Sequence, residues 1–150
     1  MTKTKAQQIM AATEVRAADD VTAAIQDIAA EFEPYIIKQR RHFHKHPELS
    51  LAEERTTSDI ANQLDAMNIP YERPLKTGLV ATLRGTAPDA YREDGKPRRR
   101  ILLRADIDAL PVTEQTGEEF ASVNEGCMHA CGHDCHIAMM LGTLQILRHM

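Results

Sequence analysis

Gly126-Cys127-Met128-His129-Ala130-Cys131-Gly132-His133-Asp134-Cys135-His136 gathers all three cysteines and three of the seven histidines of a 150-residue chain. Thiolates, imidazoles and carboxylates are the side chains that bind zinc and other borderline-soft divalent metals. Directly after it, Ile137, Met140, Leu141, Leu144 and Leu147 recur at helical spacing. The stretch therefore reads as a loop entering a helix that runs to residue 150, with Asp134 at the N-cap. The remaining chain reads as the scaffold for this loop.

Cys131 and His133 flank Gly132. Positions i and i+2 can aim at one point on an extended or tightly turned backbone, and Gly permits unusual dihedrals between them. A thiolate and a neutral imidazole make a mixed sulfur–nitrogen site, and the helix N-terminus beyond favours the thiolate. His129 and His133 would converge only on a helix, as would Cys131 and Cys135. Gly132 and a capping Asp134 oppose helix before Cys135. Cys127 and Cys135 read as small buried hydrophobes. Two ligands do not complete a site: structural zinc takes about four, catalytic zinc about three plus an open position. Two completions stay open. Four local ligands drawn from Cys127, His129, Cys131, His133 and His136 would close a structural zinc, or the missing ligands come from elsewhere.

Working upstream, residues 112–125 read as a polar loop with an exposed Glu118-Glu119 pair. Before it, Ile101-Leu102-Leu103 begins a buried strand that ends in Arg104-Ala105-Asp106-Ile107-Asp108-Ala109-Leu110-Pro111. Asp106 and Asp108 lie two apart, so on an extended chain their carboxylates share a side. Acidic residues leaving a buried strand lie where open α/β sheets place their sites. Equally, they are Asp side chains holding local backbone N–H groups at a strand-to-loop turn. Residues 85–99 form a Gly-, Pro- and charge-rich loop, with Arg98-Arg99-Arg100 a solvated approach to the strand. Two short strands are expected at 71–75 and 79–83. A helix is expected at 53–67, with Ile60, Leu64 and Met67 inward and Glu53-Glu54 suiting its dipole.

At the N-terminal side, Val21, Ile25, Ile28, Phe32, Tyr35 and Ile36 mark one helix face. Pro34 predicts a kink or a restart. The helix runs through Arg40-Arg41-His42-Phe43-His44-Lys45-His46 and stops before Pro47. His42, His44 and His46 alternate, which suggests ligands, but residues two apart on a helix face different sides. They read as cations at a helix C-terminus. Residues 1–20 read as a flexible extension or weak helix.

The chain has 43% hydrophobic and 27% charged residues and a net charge of −4. These are the values of a single globular domain able to bury a core. They argue against nucleic-acid and anionic-membrane partners. No apolar run reaches the roughly 18 residues of a membrane span, and no secretory signal is evident. Three cysteines in one window make a poor disulfide framework, so a cytoplasmic location is expected.

His129-Ala130-Cys131-Gly132-His133-Asp134, the earlier run from Arg104 to Pro111, and Arg41-His42-Phe43-His44-Lys45-His46-Pro47-Glu48-Leu49-Ser50 together resemble the M20 metallopeptidase family. The nearest branch is its amidohydrolases: N-acyl-amino-acid, hippurate and auxin-conjugate hydrolases. The three motifs stand in the family's order.

The resemblance implies an α/β fold, the N-terminal part of a mixed-sheet metallohydrolase catalytic domain flanked by helices. It implies two divalent ions (zinc, manganese, cobalt or nickel), with Cys131 and His133 as ligands. Asp106 and Asp108 would be active-site residues beside the metals, orienting ligands. The substrate would be an N-acyl amino acid or similar small amide, and longer relatives would be homodimers. Relatives complete the site with a Glu and two His further along, and use an adjacent Glu as general base on a metal-bound water. Glu118-Glu119 precedes Cys131, so it is not that pair. Residues 21–150 are thus expected to be a partial catalytic domain, truncated before the remaining ligands and the lid or dimerisation domain, and inactive alone. An incomplete sheet predicts exposed apolar faces.

Overall fold

The computed structural model describes the backbone of residues 5–150 and the side chains from residue 19 onward. Three helices and one short hairpin-like pair follow in chain order: α1 (Lys5–Lys45), α2 (Glu54–Ala66), β1 (Tyr71–Glu72), β2 (Val80–Ala81) and α3 (His133–His149). None of these helices is long and apolar enough to cross a membrane.

Helix α1 continues through Pro34 without restarting. Its predicted apolar face is engaged only in part. Val21 and Ile25 are exposed, whereas Ile28, Phe32, Tyr35 and Ile36 are partly covered and Phe43 is buried. Helix α2 buries Ile60 and Leu64, with Met67 just beyond it. These meet Ile137 and Leu141 of α3 and Ile69 to form the core. Each such side chain contributes about 1.5–3 kcal/mol by leaving water. Where α1 and α3 cross they are in very close contact, because residue 142 is Gly: a Cβ there would stand 2.6 Å from the Ile36 Cδ1.

Beyond the Met67 C-cap of α2, Asn68 has a φ of 56° that reverses the chain so that Ile69 N–H reaches the Leu64 carbonyl at 2.9 Å. Its start is capped from outside. Glu53 occupies the N-cap without a side-chain cap bond. The Glu48 carboxylate instead accepts from Arg55 N–H (3.1 Å), Thr56 N–H (2.7 Å) and the Thr56 hydroxyl (2.8 Å). The turn carrying Glu48 also holds the loops that lead to α3. Ala109 N–H donates to the Glu48 carbonyl (2.8 Å), Val123 N–H to the Lys45 carbonyl (3.0 Å) and the Asn124 amide to the Pro47 carbonyl (2.7 Å).

The sheet is smaller than the sequence suggests. β1 and β2 pair antiparallel, with Tyr71 opposite Ala81 and Glu72 opposite Val80. Residues 101–103, expected to begin a buried strand, carry no strand: Ile101 and Leu102 are 87% and 90% exposed. Such a β-rich apolar run needs partners on both sides, and no other strand pairs with it among the described residues. The exposed apolar surface expected of an incomplete sheet is therefore present.

Candidate metal centre

The loop between Cys127 and Gly132 delivers its side chains to different places. Cys127 is buried, Cys135 half-buried and Cys131 exposed. Burial pushes the Cys127 thiol pKa up, as does the nearby Glu48 carboxylate. Gly132, not Asp134, caps α3, with a left-handed φ of 84° that an L side chain would resist. The helix consequently begins at His133, earlier than the sequence reading allowed.

Asp134 lies inside the first turn, where its charge suits the helix dipole, and is fully buried. It is drawn there by α1. Asp134 Oδ2 meets His44 Nδ1 at 2.7 Å and Arg40 Nε at 2.9 Å. His44 Nε2 in turn lies 3.1 Å from Glu114 Oε1. His44 and His42, two of the three alternating histidines, are thus tertiary ties rather than simple helix-end cations: His42 Nε2 contacts Asp59 Oδ2 at 2.8 Å. Sequence reasoning missed Arg40 and Glu114, whose partners lie far along the chain.

His133 faces the acidic run. Its Nδ1 lies 2.9 Å from Asp108 Oδ1 and 3.0 Å from the Asp108 carbonyl. Both are acceptors, so Nδ1 is the donor and the ring is held with Nε2 on the far side. The Ser50 hydroxyl donates to the other Asp108 oxygen. That bond foremost, then the Asp108 N–H and His133, holds the Asp108 carboxyl below its ordinary value against the opposing effect of burial. Asp106 Oδ2 stands 3.9 Å from His133 Nε2. Asp106 and Asp108 therefore address the same imidazole, from its two nitrogens.

The five local candidates for a closed zinc do not assemble as one group. Among the described residues, Asp106, His133 and His136 each offer a ligand atom within 4.8 Å of the others. Cys131 is not in that group. It lines a cleft of about 470 Å³ together with Arg40, Thr116, Glu118, Phe120 and His129. Glu118, exposed as expected, thus lies at the rim of the same cleft as Cys131. His129 is 3% exposed, neither ring nitrogen has a protein hydrogen-bond partner, and burial lowers its pKa.

Comparison with known proteins places this geometry among relatives. Residues 102–150 match the model for peptidase family M20/M25/M40. An N-acyl-L-amino acid amidohydrolase of Geobacillus stearothermophilus is 43% identical over 123 residues, covering 81% of this chain and 31% of that protein. N-acetylcysteine deacetylase of Bacillus subtilis is 45% identical over 121 residues, covering 77% and 29%. The crystal structure of a dinuclear metal-binding peptidase of the M20 family from Bacillus subtilis superposes with a TM-score of 0.69 at 42% identity, over 80% of this chain and 32% of that one. The chain spans about a third of the length of these relatives.

Proposed function

Because the chain belongs to the M20 peptidase family, we propose that it forms the metal-holding part of an amidohydrolase that cleaves the amide bond of N-acyl amino acids or similar peptide-like substrates. Residues 21–150 are the catalytic-domain portion and residues 1–20 an extension to it. Cys131 and His133 are the ligands to a divalent ion, Asp108 and Asp106 orient the ligands, and relatives' two-ion chemistry is the model. The observation that carries this reading is the Asp108–His133 pair: a carboxylate on Nδ1 fixes the ring and leaves Nε2 as the nitrogen available to a metal, the arrangement a ligating histidine requires.

The donor chemistry fits such an ion. An exposed thiol and an imidazole, with two carboxylates nearby, suit zinc, manganese, cobalt or nickel. What a bound ion supplies is polarisation of an amide carbonyl and a lowered pKa of water. The chain's own part is positional. Ser50 holds Asp108, Asp108 holds His133, and the αL turn at Gly132 separates His133 from Cys131. The Glu–Glu pair and later histidines expected from the resemblance are not among these 150 residues. The 150 residues alone are therefore proposed to hold metal without turning over substrate.

Elemental analysis of the purified chain tests this, alongside Cys131→Ala and His133→Ala. Near-unit metal that falls in His133→Ala supports the reading, and absence of metal from the parent chain overturns it. Hydrolysis of N-acetyl and N-benzoyl amino acids is assayed in parallel. Tight metal with chelator-induced unfolding would favour a purely structural zinc module.

A further inference from the structure

His42 and His46 stand four residues apart where α1 ends, and side chains at that spacing are neighbours on one helix face. His46 lies one residue past Lys45, but its N–H still closes a turn on the Phe43 carbonyl at 3.1 Å. The two ring centroids are 5.2 Å apart. Asp59 of α2 reaches His42, with Oδ2 2.8 Å from Nε2. We propose that His42, His46 and Asp59 form a surface site for one divalent cation of the imidazole-binding class, zinc, nickel or copper, which staples the end of α1 to α2. The site shares no residue with the centre at the start of α3 and does not depend on it.

The ring spacing is the one such an ion requires. With metal–nitrogen bonds of about 2.1 Å and about 1.1 Å more to each ring centre, two imidazoles at a tetrahedral angle have centroids about 5.3 Å apart. Turning a ring about Cβ–Cγ swings its nitrogens and leaves its centroid almost in place, and that torsion is soft. Asp59 bonds His42 and not His46 in this structure, and a turn of the His46 ring brings its nitrogen to the shared point. His46 has a nitrogen to give. Its Nδ1 is buried with no protein hydrogen-bond partner, a costly state for a polar atom. Burial foremost, then the charges of Arg55, His42 and Lys45, lowers its pKa against the opposing effect of Asp59. The imidazole is therefore neutral near pH 7, the form that ligates. An ion can reach the pair from solvent, because the side chains of His42 and Asp59 are 38% and 27% exposed. Arg55 and Lys45 oppose a cation here. Arg55 holds Asp59 only at 3.5 Å, with half of its side chain in solvent, so it gives way at little cost.

Zinc titration of the chelator-stripped chain, followed by long-range proton–nitrogen correlation spectra of the imidazoles, tests the site. The expected result is that the His42 and His46 rings respond together, on one saturation curve. The His46 response should vanish in His42→Gln, and the His42 response in His46→Gln. Asp59→Asn should weaken zinc at the pair by at least about ten-fold, whereas Arg55→Gln, which removes a competing cation, should tighten it. The melting temperature of the parent should rise over the same zinc range, and the rise should shrink in the three ligand variants. Rings that stay unmoved, or a response from only one of them, would overturn the proposal, and the parent spectra alone decide this even if a variant fails to fold. Unchanged affinity in Asp59→Asn would overturn it too. A zinc response at His133 without one at His42 and His46 would remove this site and leave the centre at α3 standing. The reverse pattern would keep this site and remove that centre.

Discussion

His44 Nδ1 and Asp134 Oδ2 lie 2.7 Å apart, joining the end of α1 to the first turn of α3 across 90 residues of sequence. Both side chains are buried, at 5% and 1% exposed. Removing one partner of such a pair leaves the other desolvated and unmatched. Asp134→Ala should destabilise the fold by about 3 kcal/mol, and Asp134→Asn by less, because the amide keeps an acceptor for Arg40 and His44. Chemical denaturation of the two variants checks the order. Equal losses would mean that a neutral acceptor contributes nothing and that the carboxylate charge carries the whole effect.

Glu114 gives the fold an acid limit. Burial pushes its carboxyl up, but the Ser122 N–H, the Thr116 hydroxyl and His44 together outweigh this and hold it below its ordinary 4.5. A depressed folded-state pKa means stabilisation that is complete above the unfolded value and lost as pH falls through the folded one. Glu114→Gln should lower stability by about 1–3 kcal/mol at neutral pH. It should also flatten the decline in melting temperature below about pH 4.5. Parallel melting curves for parent and variant across that range would contradict the assignment.

Asp108 acts through His133. Replacing it with Asn removes the carboxylate charge and leaves an amide oxygen and the backbone carbonyl as weaker acceptors for the Nδ1 proton, so metal affinity should drop by about 10- to 100-fold. Ser50→Ala should weaken binding less, since Ser50 only steadies Asp108. Calorimetric titration with zinc reads both. A larger effect from Ser50 than from Asp108 would reverse the proposed order of support.

Gly142 sets the distance between α1 and α3. An alanine there gains about 1 kcal/mol of helix propensity. Its Cβ would meet Ile36 Cδ1 at 2.6 Å and Cγ1 at 2.8 Å. Overpacking of that kind costs about 1–3 kcal/mol. Gly142→Ala should therefore be net destabilising in the parent and stabilising when Ile36→Ala has cleared the space. The change of sign, measured in a double-mutant cycle, is the diagnostic.

Much of this architecture is legible residue by residue. The spacing of Ile60, Leu64 and Met67 locates α2, and Ile137 through Leu144 locates α3, because helix periodicity is a local signal. The convergence of Asp106 and Asp108 on one imidazole follows from their two-residue step. The cap of α3 is not legible locally: Asp134 is a fine N-cap by type, and only the distant Arg40 and His44 show why it is drawn inward. Residues 101–103 have strand composition but no partner, and pairing is not a property of one segment. His136 was visible only as one of five local candidates, since its neighbour Asp106 is thirty positions away.

The end of α1 and the turn after it, residues 45–50, tie together pieces that share no helix or sheet. Thr56 N–H ends on the Glu48 carboxylate, Ala109 N–H on the Glu48 carbonyl and Val123 N–H on the Lys45 carbonyl. These three amides belong to α2, to the acidic run and to the loop before Cys127. Their hydrogen-exchange rates should nevertheless converge on one opening free energy, as members of a single cooperative unit. Loosening this turn would release the start of α2 and the platform beneath His133 in one event.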